Sequence, residues 1–340
     1  MTDKLARYIR QMVFSPIGEK GQKKISKSSA AVVGCGALGG VSANLLARAG
    51  VGSLTIIDRD FVEFDNLQRQ MLFTEKDAEQ HLPKALVVAE RLKESNSEIK
   101  IGYHIIDLNQ RNVEKLLRNH SVIVDATDNL DTRFLINDFC VKNKVPWIYG
   151  AALGSTGMVK TILPGKTACL RCFLPSPPPP GSIPTCETGG ILNSTTGIVG
   201  SLEVSETLKI IVGGTENAGS LIYIDVWSNR FDVVEVNRRE NCPACADGNF
   251  EFLNAKQSYS PSRLCGHNAV EIIPEKPTQL DLEKLNKKLS KIGDSQFNGC
   301  MVIFKTGKYQ IFIFPDARAI IKGTYDFPTA KTLYSKFIGI

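Results

Sequence analysis

The chain has 340 residues, of which 43% are hydrophobic and 22% are charged, a composition typical of a globular protein with a sizeable core. The net charge is +6, but the sequence has no RNP motif, zinc-finger helix or long Lys/Arg run, which argues against a nucleic-acid partner. No apolar run approaches the roughly 18 residues that span a bilayer, and the start MTDKLARYIR lacks a signal-peptide core. We therefore expect a cytoplasmic protein without a membrane partner.

The first half of the chain alternates apolar strands with helical patterns. Strands are predicted at SSAAVVG, SLTIID, KIGYHIID, SVIVDATDN and VPWIYGAALG, and helices at LGGVSANLLARAG, PKALVVAERLKES and DTRFLINDFCVKNK. This alternation predicts an α/β fold with a Rossmann-like, mainly parallel sheet covered by helices on both faces. We assign the nucleotide-binding half to about residues 1–155.

Antiparallel strands are predicted to extend this sheet. The segment TGMVKTIL at 156–163 reads as one strand, and SLIYIDVW and FDVVEVN read as a pair, preceded by the long helix IVGSLEVSETLKIIVG. A run of four prolines makes 173–190 an exposed, extended crossover loop, because proline joins neither a helix interior nor a central strand. Together these elements form a predicted domain over 1–249.

Residues 250–340 are predicted to form a small C-terminal α/β extension to which the sequence assigns no role. We expect 250–268 to be irregular and a charged amphipathic helix at 280–292. Hairpin spacing follows around Thr306-Gly307 and Asp316-Ala317.

The stretch VVGCGALG at 32–39 contains a G-x-G-x-x-G pattern, formed by Gly34, Gly36 and Gly39. Since it follows a predicted strand and opens a predicted helix, the N–H groups and dipole of the helix would face a phosphate that glycine allows to come close. The alternative is a tight strand–helix turn that binds nothing. Asp58 ends the next strand, where an acid binds ribose hydroxyls, but both NAD and ATP carry a ribose.

Polar residues beyond that strand favour ATP. Asp60, Asn66, Arg69 and Gln70 follow the strand end, and Lys84 lies at the start of the next predicted helix. The bidentate arginine fork and the lysine point charge suit a triphosphate, whereas a nicotinamide needs an apolar slot and a hydride path. The alternative is a pair of surface cations beside neighbouring acids.

A second acidic cluster, DATDNLDTR, follows a later parallel strand. Asp128 there can hold Mg²⁺, which prefers one or two carboxylates together with phosphate oxygens, and Asn129 lies beside it. The alternative is that Asp128 or Asp131 caps the helix that follows.

Nine cysteines favour a metal site or catalysis over disulfides in a cytoplasmic chain. Cys169-x-x-Cys172 and Cys242-x-x-Cys245 are paired knuckles that predict a structural Cys₄ zinc site, with redox pairs or fortuitous spacing as alternatives. Cys186 lies on the proline-rich loop, where its thiol would be accessible. Of the other four cysteines, Cys35 and Cys140 are expected to be packing residues, and the sequence assigns no role to Cys265 and Cys300.

Eight motifs occur in one order between residues 7 and 247: RYIRQ, GCGALGG, IIDRDFVEFDNLQRQ, LPKA, DATDNLDTR, CLRCF, a later Cys-Glu and CPAC. Together they resemble the ThiF/MoeB/HesA family of adenylyltransferases, bacterial relatives of ubiquitin-activating enzymes. The length and the tail around FPDARAIIKGT are similar to longer bacterial members. The resemblance implies a homodimer that uses MgATP to adenylate the Gly-Gly carboxylate of a small ubiquitin-like sulfur carrier, ThiS- or MoaD-like. Thiocarboxylate formation for thiamine or molybdopterin biosynthesis would follow.

The resemblance also implies residue roles. Asp58 would hold ribose, Asp128 would bind Mg²⁺, and Arg10 of RYIRQ would reach the partner subunit's site. Cys186 matches a cysteine that in some members bonds to the carrier or relays a persulfide and in others is dispensable. The remaining nucleotide-site residues are those of the glycine loop and the phosphate contacts: Gly34, Gly36, Ala37, Gly39, Asp60, Asn66, Arg69, Gln70, Lys84 and Asn129.

Other functions stay open at this stage. One alternative is adenylation of another peptide or acyl terminus, although no peptide-clamp domain is evident before residue 30. An NAD-dependent oxidoreductase is another alternative, but the sequence offers no candidate catalytic residues for hydride transfer. A non-catalytic binding module is a third, but it would not need the complete set of phosphate-contacting residues. No rhodanese-like unit is evident after residue 250, so we expect a separate sulfur donor protein.

Overall fold

The computed structural model describes residues 5–179, 181–182, 184–216, 218–255, 262–264, 268–274 and 278–339. The chain divides into two compact units, Met1–Lys256 and Gln257–Ile340. Over the ranges described, no helix combines the length and the apolar character that a membrane crossing requires.

An eight-stranded sheet forms the centre of the first unit. Its strands are β1 (Ser29–Val33), β2 (Ser53–Asp58), β3 (Lys100–Ile105), β4 (Val122–Asp125), β5 (Trp147–Leu153), β6 (Thr156–Ile162), β7 (Leu221–Asp225) and β8 (Arg230–Val234). Their order is β3-β2-β1-β4-β5-β6-β7-β8. The first five run parallel, and β5 to β8 pair antiparallel. The predicted fold class is confirmed.

Helices lie on both faces of this sheet. They are α1 (Ile9–Val13), α2 (Gly18–Lys27), α3 (Ala37–Ala49), α4 (Glu75–Glu79), α5 (Lys84–Ser95), α6 (Val113–Leu117), α7 (Leu130–Asn143), α8 (Leu170–Phe173), α9 (Cys186–Gly189), α10 (Asn193–Val212) and α11 (Glu251–Asn254). Short 3-10 turns span Ala6–Tyr8 and Phe64–Asn66. Helices α3, α5 and α10 share one hydrophobic core, while α6, α7 and α8 share the other.

The strand β1 shows why the sheet needs helices on both faces. Ala30 and Val32 lie in the core beneath α3, α5 and α10, whereas Ala31 and Val33 lie in the core on the opposite face. All four are essentially inaccessible to solvent. A strand buried on both faces reads as a continuous apolar run, as SAAVV does.

The N-terminal segment is fixed to the C-terminal end of α3. Gly50, at φ +83°, caps this helix, and a Cβ there would lie 2.4 Å from Cζ of Tyr8. Asn96 Nδ2 donates to the Tyr8 hydroxyl over 2.9 Å, and Gln11 Nε2 donates to the Ala49 carbonyl over 3.0 Å. Residues 6–13 therefore lie at the end of α3 that is remote from the glycine loop.

The crossover loop is less extended than its sequence predicts. Helix α9 forms a single turn inside 173–190, closed by reciprocal hydrogen bonds between Thr185 and Thr188. This is a capping box, in which two short polar side chains stabilise a helix start.

The second unit holds a six-stranded sheet of order β11-β12-β13-β14-β10-β9. Its elements are β9 (Ser262–Leu264), β10 (Ala269–Ile272), α12 (Leu282–Leu289), β11 (Asp294–Phe297), β12 (Val302–Thr306), β13 (Tyr309–Ile313), β14 (Ala319–Lys322) and α13 (Phe327–Phe337). The predicted helix and both predicted hairpins are confirmed.

The prediction that 250–268 is irregular was wrong in part, because this stretch contains α11 and β9. The Asp138 carboxylate accepts hydrogen bonds from the N–H groups of Phe252 and Leu253, over 2.9 and 3.4 Å. A cap from a residue more than 100 positions away leaves no local sequence signal.

Candidate nucleotide site and metal centre

The carboxyl ends of three parallel strands meet at one edge of the first unit's sheet. Val33 of β1 is in register with Ile57 of β2 and with Asp125 of β4. The residues that follow these strands therefore start side by side, at the edge where doubly wound folds bind ligands.

The three glycines of the loop after β1 have different tasks. Gly34 has φ +89°, and a Cβ there would lie 2.6 Å from the Ala126 carbonyl oxygen. A Cβ on Gly39 would lie 1.9 Å from the Gly34 carbonyl oxygen. A Cβ on Gly36, the N-cap of α3, would meet only the Gln70 amide group, with Nε2 at 3.7 Å in ordinary van der Waals contact. Gly34 and Gly39 thus permit close packing, and Gly36 leaves room for a ligand at the helix N-terminus.

Asp58 organises the loop in addition to its expected ribose contact. Its carboxylate accepts hydrogen bonds from the backbone N–H of Cys35 over 2.6 Å and of Asp60 over 2.7 Å. Burial, and next the charge of Asp60, raise the pKa of Asp58 above its ordinary value. The sequence position of Asp58 gave no indication of this anchoring role.

Lys84 opens α5 and is only 7% exposed. Its Nζ lies 3.6 Å from Asp60 Oδ2. Burial lowers the pKa of Lys84, but the surrounding carboxylates of Asp60, Asp58 and Asp128 raise it more, so the net pKa lies above the ordinary value. The site therefore holds a buried ammonium group close to the edge where phosphates would lie.

The segment after β2 contributes three polar side chains of different character. Asn66 is buried and closes a capping box with Glu63, a structural role that its sequence position did not reveal. Arg69 is half-buried, and its Nη1 donates to the Asp65 carbonyl over 2.7 Å. Gln70 is 5% exposed, and its Oε1 has no hydrogen-bond partner. The Gln70 atom nearest to a Cβ at Gly36 is the amide nitrogen and not this buried oxygen, so Gln70 borders the helix N-terminus through its Nε2.

The loop after β4 leaves Asp128 exposed. Asn129 is the N-cap of α7, since its Oδ1 accepts the Thr132 N–H over 2.8 Å. Capping by Asp128 or Asp131, the alternative interpretation, is therefore wrong. With no capping task, the Asp128 carboxylate lies beyond the strand end, where a metal ion could be bound together with phosphates.

Two buried charged side chains, Arg133 and Asp125, hold this loop in place through hydrogen bonds. Arg133 Nη2 donates to the carbonyls of Thr127 and Gly150, over 2.6 and 2.9 Å. Asp125 accepts from the Thr127 N–H and hydroxyl, over 3.1 and 2.7 Å. The residue directly before Asp128 is thus fixed on both sides, by partners that only the folded chain brings together.

The four knuckle cysteines converge, as their spacing predicts. Cys169 Sγ lies 3.5 Å from Cys242 Sγ and 4.0 Å from Cys172 Sγ, and Cys172 Sγ lies 3.5 Å from Cys245 Sγ. All four sulfur atoms lie within 4.8 Å of one another. Tetrahedral zinc with Zn–S bonds of about 2.3 Å separates its sulfur ligands by about 3.8 Å, so the donor set and its spacing fit zinc.

Four other predicted residues are two packing cysteines, the crossover-loop cysteine and the N-terminal arginine. Cys35 and Cys140 are buried among apolar side chains, as expected for packing residues. Cys186 begins α9, but its side chain lies outside the described residues. Arg10 lies on the exposed side of α1, at the far end of α3 from the glycine loop.

Comparison with known proteins places this arrangement in a family. The model of the ThiF family matches residues 8–244, more than half of the chain. The chain belongs to the ThiF family. The match includes the glycine loop and three of the four clustered cysteines, and it ends one residue before the fourth, Cys245.

Curated relatives of this ThiF family chain include three adenylyltransferases. The chain is 39% identical over 336 residues to the sulfur carrier protein ThiS adenylyltransferase of Bacillus subtilis, covering 98% of this chain and 99% of the relative. It is 37% identical over 251 residues to the sulfur carrier protein adenylyltransferase of Thermus thermophilus, covering 72% and 92%. It is 40% identical over 247 residues to adenylyltransferase and sulfurtransferase MOCS3 of Aedes aegypti, covering 72% of this chain and 56% of that protein. The chain is therefore an adenylyltransferase of the ThiF family.

Solved structures support the fold. The microcin C7 biosynthetic enzyme MccB of E. coli, in complex with N-formylated MccA, matches with a TM-score of 0.63. The alignment covers 71% of this chain and 75% of MccB at 22% identity. At that identity the likeness describes architecture.

Proposed function

We propose that this chain uses ATP to adenylate the C-terminal carboxylate of a small ubiquitin-like sulfur carrier of the ThiS type. The observation that supports this substrate is the similarity to the Bacillus subtilis ThiS adenylyltransferase over 336 residues, which includes the second unit. The similarity to MOCS3 covers 247 residues. The full-length match therefore favours a ThiS-type over a MoaD-type carrier, and thiamine over molybdopterin biosynthesis.

The proposed reaction needs little acid–base chemistry. The nucleophile is the carrier's own carboxylate, which is ionised at neutral pH. One of its oxygens attacks the α-phosphorus of ATP, the bond between the α- and β-phosphates breaks, and pyrophosphate leaves from the acyl-adenylate. The protein has to position the two substrates and balance phosphate charge, which oriented N–H groups and cations do.

The described residues suit these tasks. We assign the nucleotide to the space at Gly36, with Asp58 at the ribose and with Arg69 and Lys84 at the phosphates. The amide nitrogen of Gln70 borders the same space. The other assigned contacts are those of the loop and its neighbours: Gly34, Ala37, Gly39, Asp60, Asn66 and Asn129.

Two metals fit the chain in different ways. Asp128 would hold Mg²⁺, which supplies charge neutralisation at the phosphates. The four cysteines would hold zinc, with every ligand position filled by protein, so its contribution is structural.

ATP–pyrophosphate exchange tests the proposal. Wild-type protein should catalyse exchange only when a recombinant ThiS-type carrier ending in Gly-Gly is added, and less well with a MoaD-type carrier. Asp128→Ala and Arg69→Ala should each reduce carrier-dependent exchange by roughly 100-fold or more, because each removes charge stabilisation of the reacting phosphates. Arg118→Ala, a surface arginine paired with Glu114, is the control and should keep wild-type activity.

Two outcomes would contradict the proposal. Wild-type protein without carrier-dependent exchange would refute the adenylation of such carriers, and efficient exchange with an unrelated peptide terminus would favour the alternative substrate. Wild-type exchange in Asp128→Ala would instead refute only the metal assignment.

We further propose that the enzyme is a cytoplasmic homodimer that receives sulfur from a separate protein. The position of Arg10 supports the dimer. Helix α3 has 13 residues and is roughly 20 Å long, and Arg10 lies at the end opposite Gly36. Arg10 is therefore poorly placed for its own site and better placed for that of a second copy.

Exposed apolar side chains on the same segment favour such an interface. Ile9, Val13 and Phe14 are 57%, 75% and 61% exposed, and Phe64 and Met71, in the segment of the phosphate contacts, are 58% and 61% exposed. Large exposed apolar groups of this kind are typical of surfaces that bind another protein.

A further inference from the structure

Arg171 lies between two zinc-type ligands, in Cys169-Leu170-Arg171-Cys172, and carries a buried charge that the proposed chemistry does not use. The residue is 4% exposed. Its Nη2 lies 2.6 Å from Glu251 Oε1, and its guanidinium lies 5.3 Å from the centre of the Phe252 ring. A buried cation is costly unless it is well paired, so its contacts indicate a specific task.

The remaining contacts of Arg171 are to backbone carbonyls. Nε donates to Pro175 over 3.1 Å, and Nη1 donates to Asn249 over 3.4 Å. Pro175 is the third residue after Cys172, and Asn249 is the fourth after Cys245. The Arg171 side chain thus fixes the backbone just after each of the two knuckles. Arginine suits this task because its planar guanidinium carries N–H donors that point in several directions.

The chain that leaves the first knuckle runs beside the sheet edge to which we assign the nucleotide. Phe173 contacts Tyr149 of β5, with ring centres 5.6 Å apart in an edge-on arrangement. Tyr149 in turn lies beneath Arg133, 5.1 Å from its guanidinium, and Arg133 holds the Thr127 carbonyl next to Asp128. Arg171 is therefore connected to the Asp128 loop through the backbone it holds at Pro175 and then through the packed side chains of Phe173, Tyr149 and Arg133.

The other end of the 173–190 segment is fixed at the same edge. Gly154, directly after β5, donates its N–H to Gly190 and accepts the N–H of Leu192, over 2.9 and 3.0 Å. Gln68 Nε2 donates to the Ile191 carbonyl over 3.3 Å. The segment thus begins beside Tyr149 and ends beside the residues that precede Arg69.

This placement separates the two substrates. The glycine loop and Asp58 follow β1 and β2, so the nucleotide assigned to them occupies that part of the edge. The start of the 173–190 segment lies at β5, on the other side of β4 and Asp128, whereas its end also adjoins Gln68 next to Arg69. A carboxylate that attacks the α-phosphate has to approach over the part of the edge that the nucleotide leaves open.

We propose that Arg171 is a positioning residue that sets where the 173–190 segment starts and thereby controls use of the carboxylate substrate, but not of ATP. The inference rests on the proposed function. The first knuckle, Cys169–Cys172, would then have a second role besides metal binding. Its four residues include two of the cysteine ligands and also Arg171, the side chain that fixes the start of the next segment.

Steady-state exchange kinetics test this role, with a recombinant ThiS-type carrier as the probe. Arg171→Ala should raise KM for the carrier by roughly 10- to 100-fold, the cost expected of displacing a positioning group by about 1 Å. KM for ATP and the zinc content should stay at wild-type values. Arg171→Lys keeps a positive charge on a side chain of similar length but loses the guanidinium donors, so it should also raise KM for the carrier. This variant replaces Arg171→Ala in the test if Arg171→Ala does not fold.

The matched control is Arg238→Ala. Arg238 donates to the Gly165 and Cys245 carbonyls, so it also borders the cysteines, but it has no described contact with 173–190. It should leave both KM values unchanged.

Each other outcome decides against a specific claim. Unchanged KM for the carrier in a zinc-loaded Arg171 variant would overturn the inference, as would an equal rise in both KM values. Wild-type protein without carrier-dependent exchange would refute the proposed function itself.

Discussion

At the scale of single residues, Glu203 shows how the core supports the nucleotide edge. This glutamate of α10 is fully buried, and its Oε2 accepts the Ser42 hydroxyl over 2.5 Å. A Cβ on Gly150 would lie 1.7 Å from its Oε1. The side chain therefore joins α10, α3 and β5 at a point where only glycine leaves it space. Burial raises the pKa of Glu203 from 4.5 to about 8, so the carboxyl is mostly protonated at neutral pH.

Glu203→Gln should remove a pH dependence of stability. Between about pH 4.5 and 8 the folded protein keeps a proton that the unfolded chain releases, so the free energy of unfolding falls as pH rises. The slope contributed is at most about 1.4 kcal/mol per pH unit. Glutamine has the same shape and no titration, so the variant should gain stability relative to wild type from pH 5 to pH 8, measured by urea unfolding.

The control for this prediction is Glu203→Ala. It should lose the same slope but be destabilised at every pH by a few kcal/mol, because it opens a cavity. A Glu203→Gln protein whose stability falls with pH as steeply as that of wild type would show that the buried carboxyl is not the source.

At the scale of elements, the four cysteines join parts of the chain that are far apart in sequence. Cys169 and Cys172 flank α8, which follows β6, whereas Cys242 and Cys245 follow the edge strand β8. Arg171 adds α11 and the start of the crossover loop to the same group. Small irregular elements of this kind depend on the metal for their folding energy.

Cys242→Ser should lose zinc and stability together. Wild-type protein should contain one zinc per chain by elemental analysis, and the variant should contain much less and unfold more than about 10 °C lower by calorimetry. Cys140→Ala, which alters a buried thiol outside the cluster, should keep its zinc. Fully folded wild-type protein purified without zinc would contradict the metal assignment.

At the scale of the whole molecule, Arg10 and the nucleotide site lie at opposite ends of α3. Tyr8 and Gln11 attach the N-terminal segment to the C-terminal end of this helix, and Arg10 between them points away from the core. The proposed dimer resolves this arrangement if each subunit supplies Arg10 to the other, as a two-fold symmetric interface allows.

Mixing two inactive variants tests that arrangement. Arg10→Ala and Asp128→Ala should each be nearly inactive in carrier-dependent exchange. In a mixed dimer, one site combines an intact Asp128 with an intact Arg10 of the other subunit. Random exchange of subunits should therefore restore up to about a quarter of wild-type activity. No recovery despite mixed dimers confirmed by native mass spectrometry would place Arg10 in its own subunit's site or outside the site.

The sequence by itself determined the features that depend on local pattern. Strand–helix alternation predicted the parallel sheet, the glycine spacing predicted the turn between β1 and α3, and two C-x-x-C pairs predicted the cysteine cluster, because short-range periodicity and ligand spacing are written in neighbouring residues. The ordered motifs were enough to predict the family.

Only the tertiary structure decided which polar residues stabilise the fold. Asn129 rather than Asp128 caps α7, Asn66 closes a turn, and Gln70 places its amide nitrogen near Gly36. The contacts of Arg171 and the helical turn held by Asp138 likewise join positions about 80 and more than 100 residues apart. Hydrogen-bond partners that are distant in sequence are set by packing of the whole chain, so no local pattern reports them.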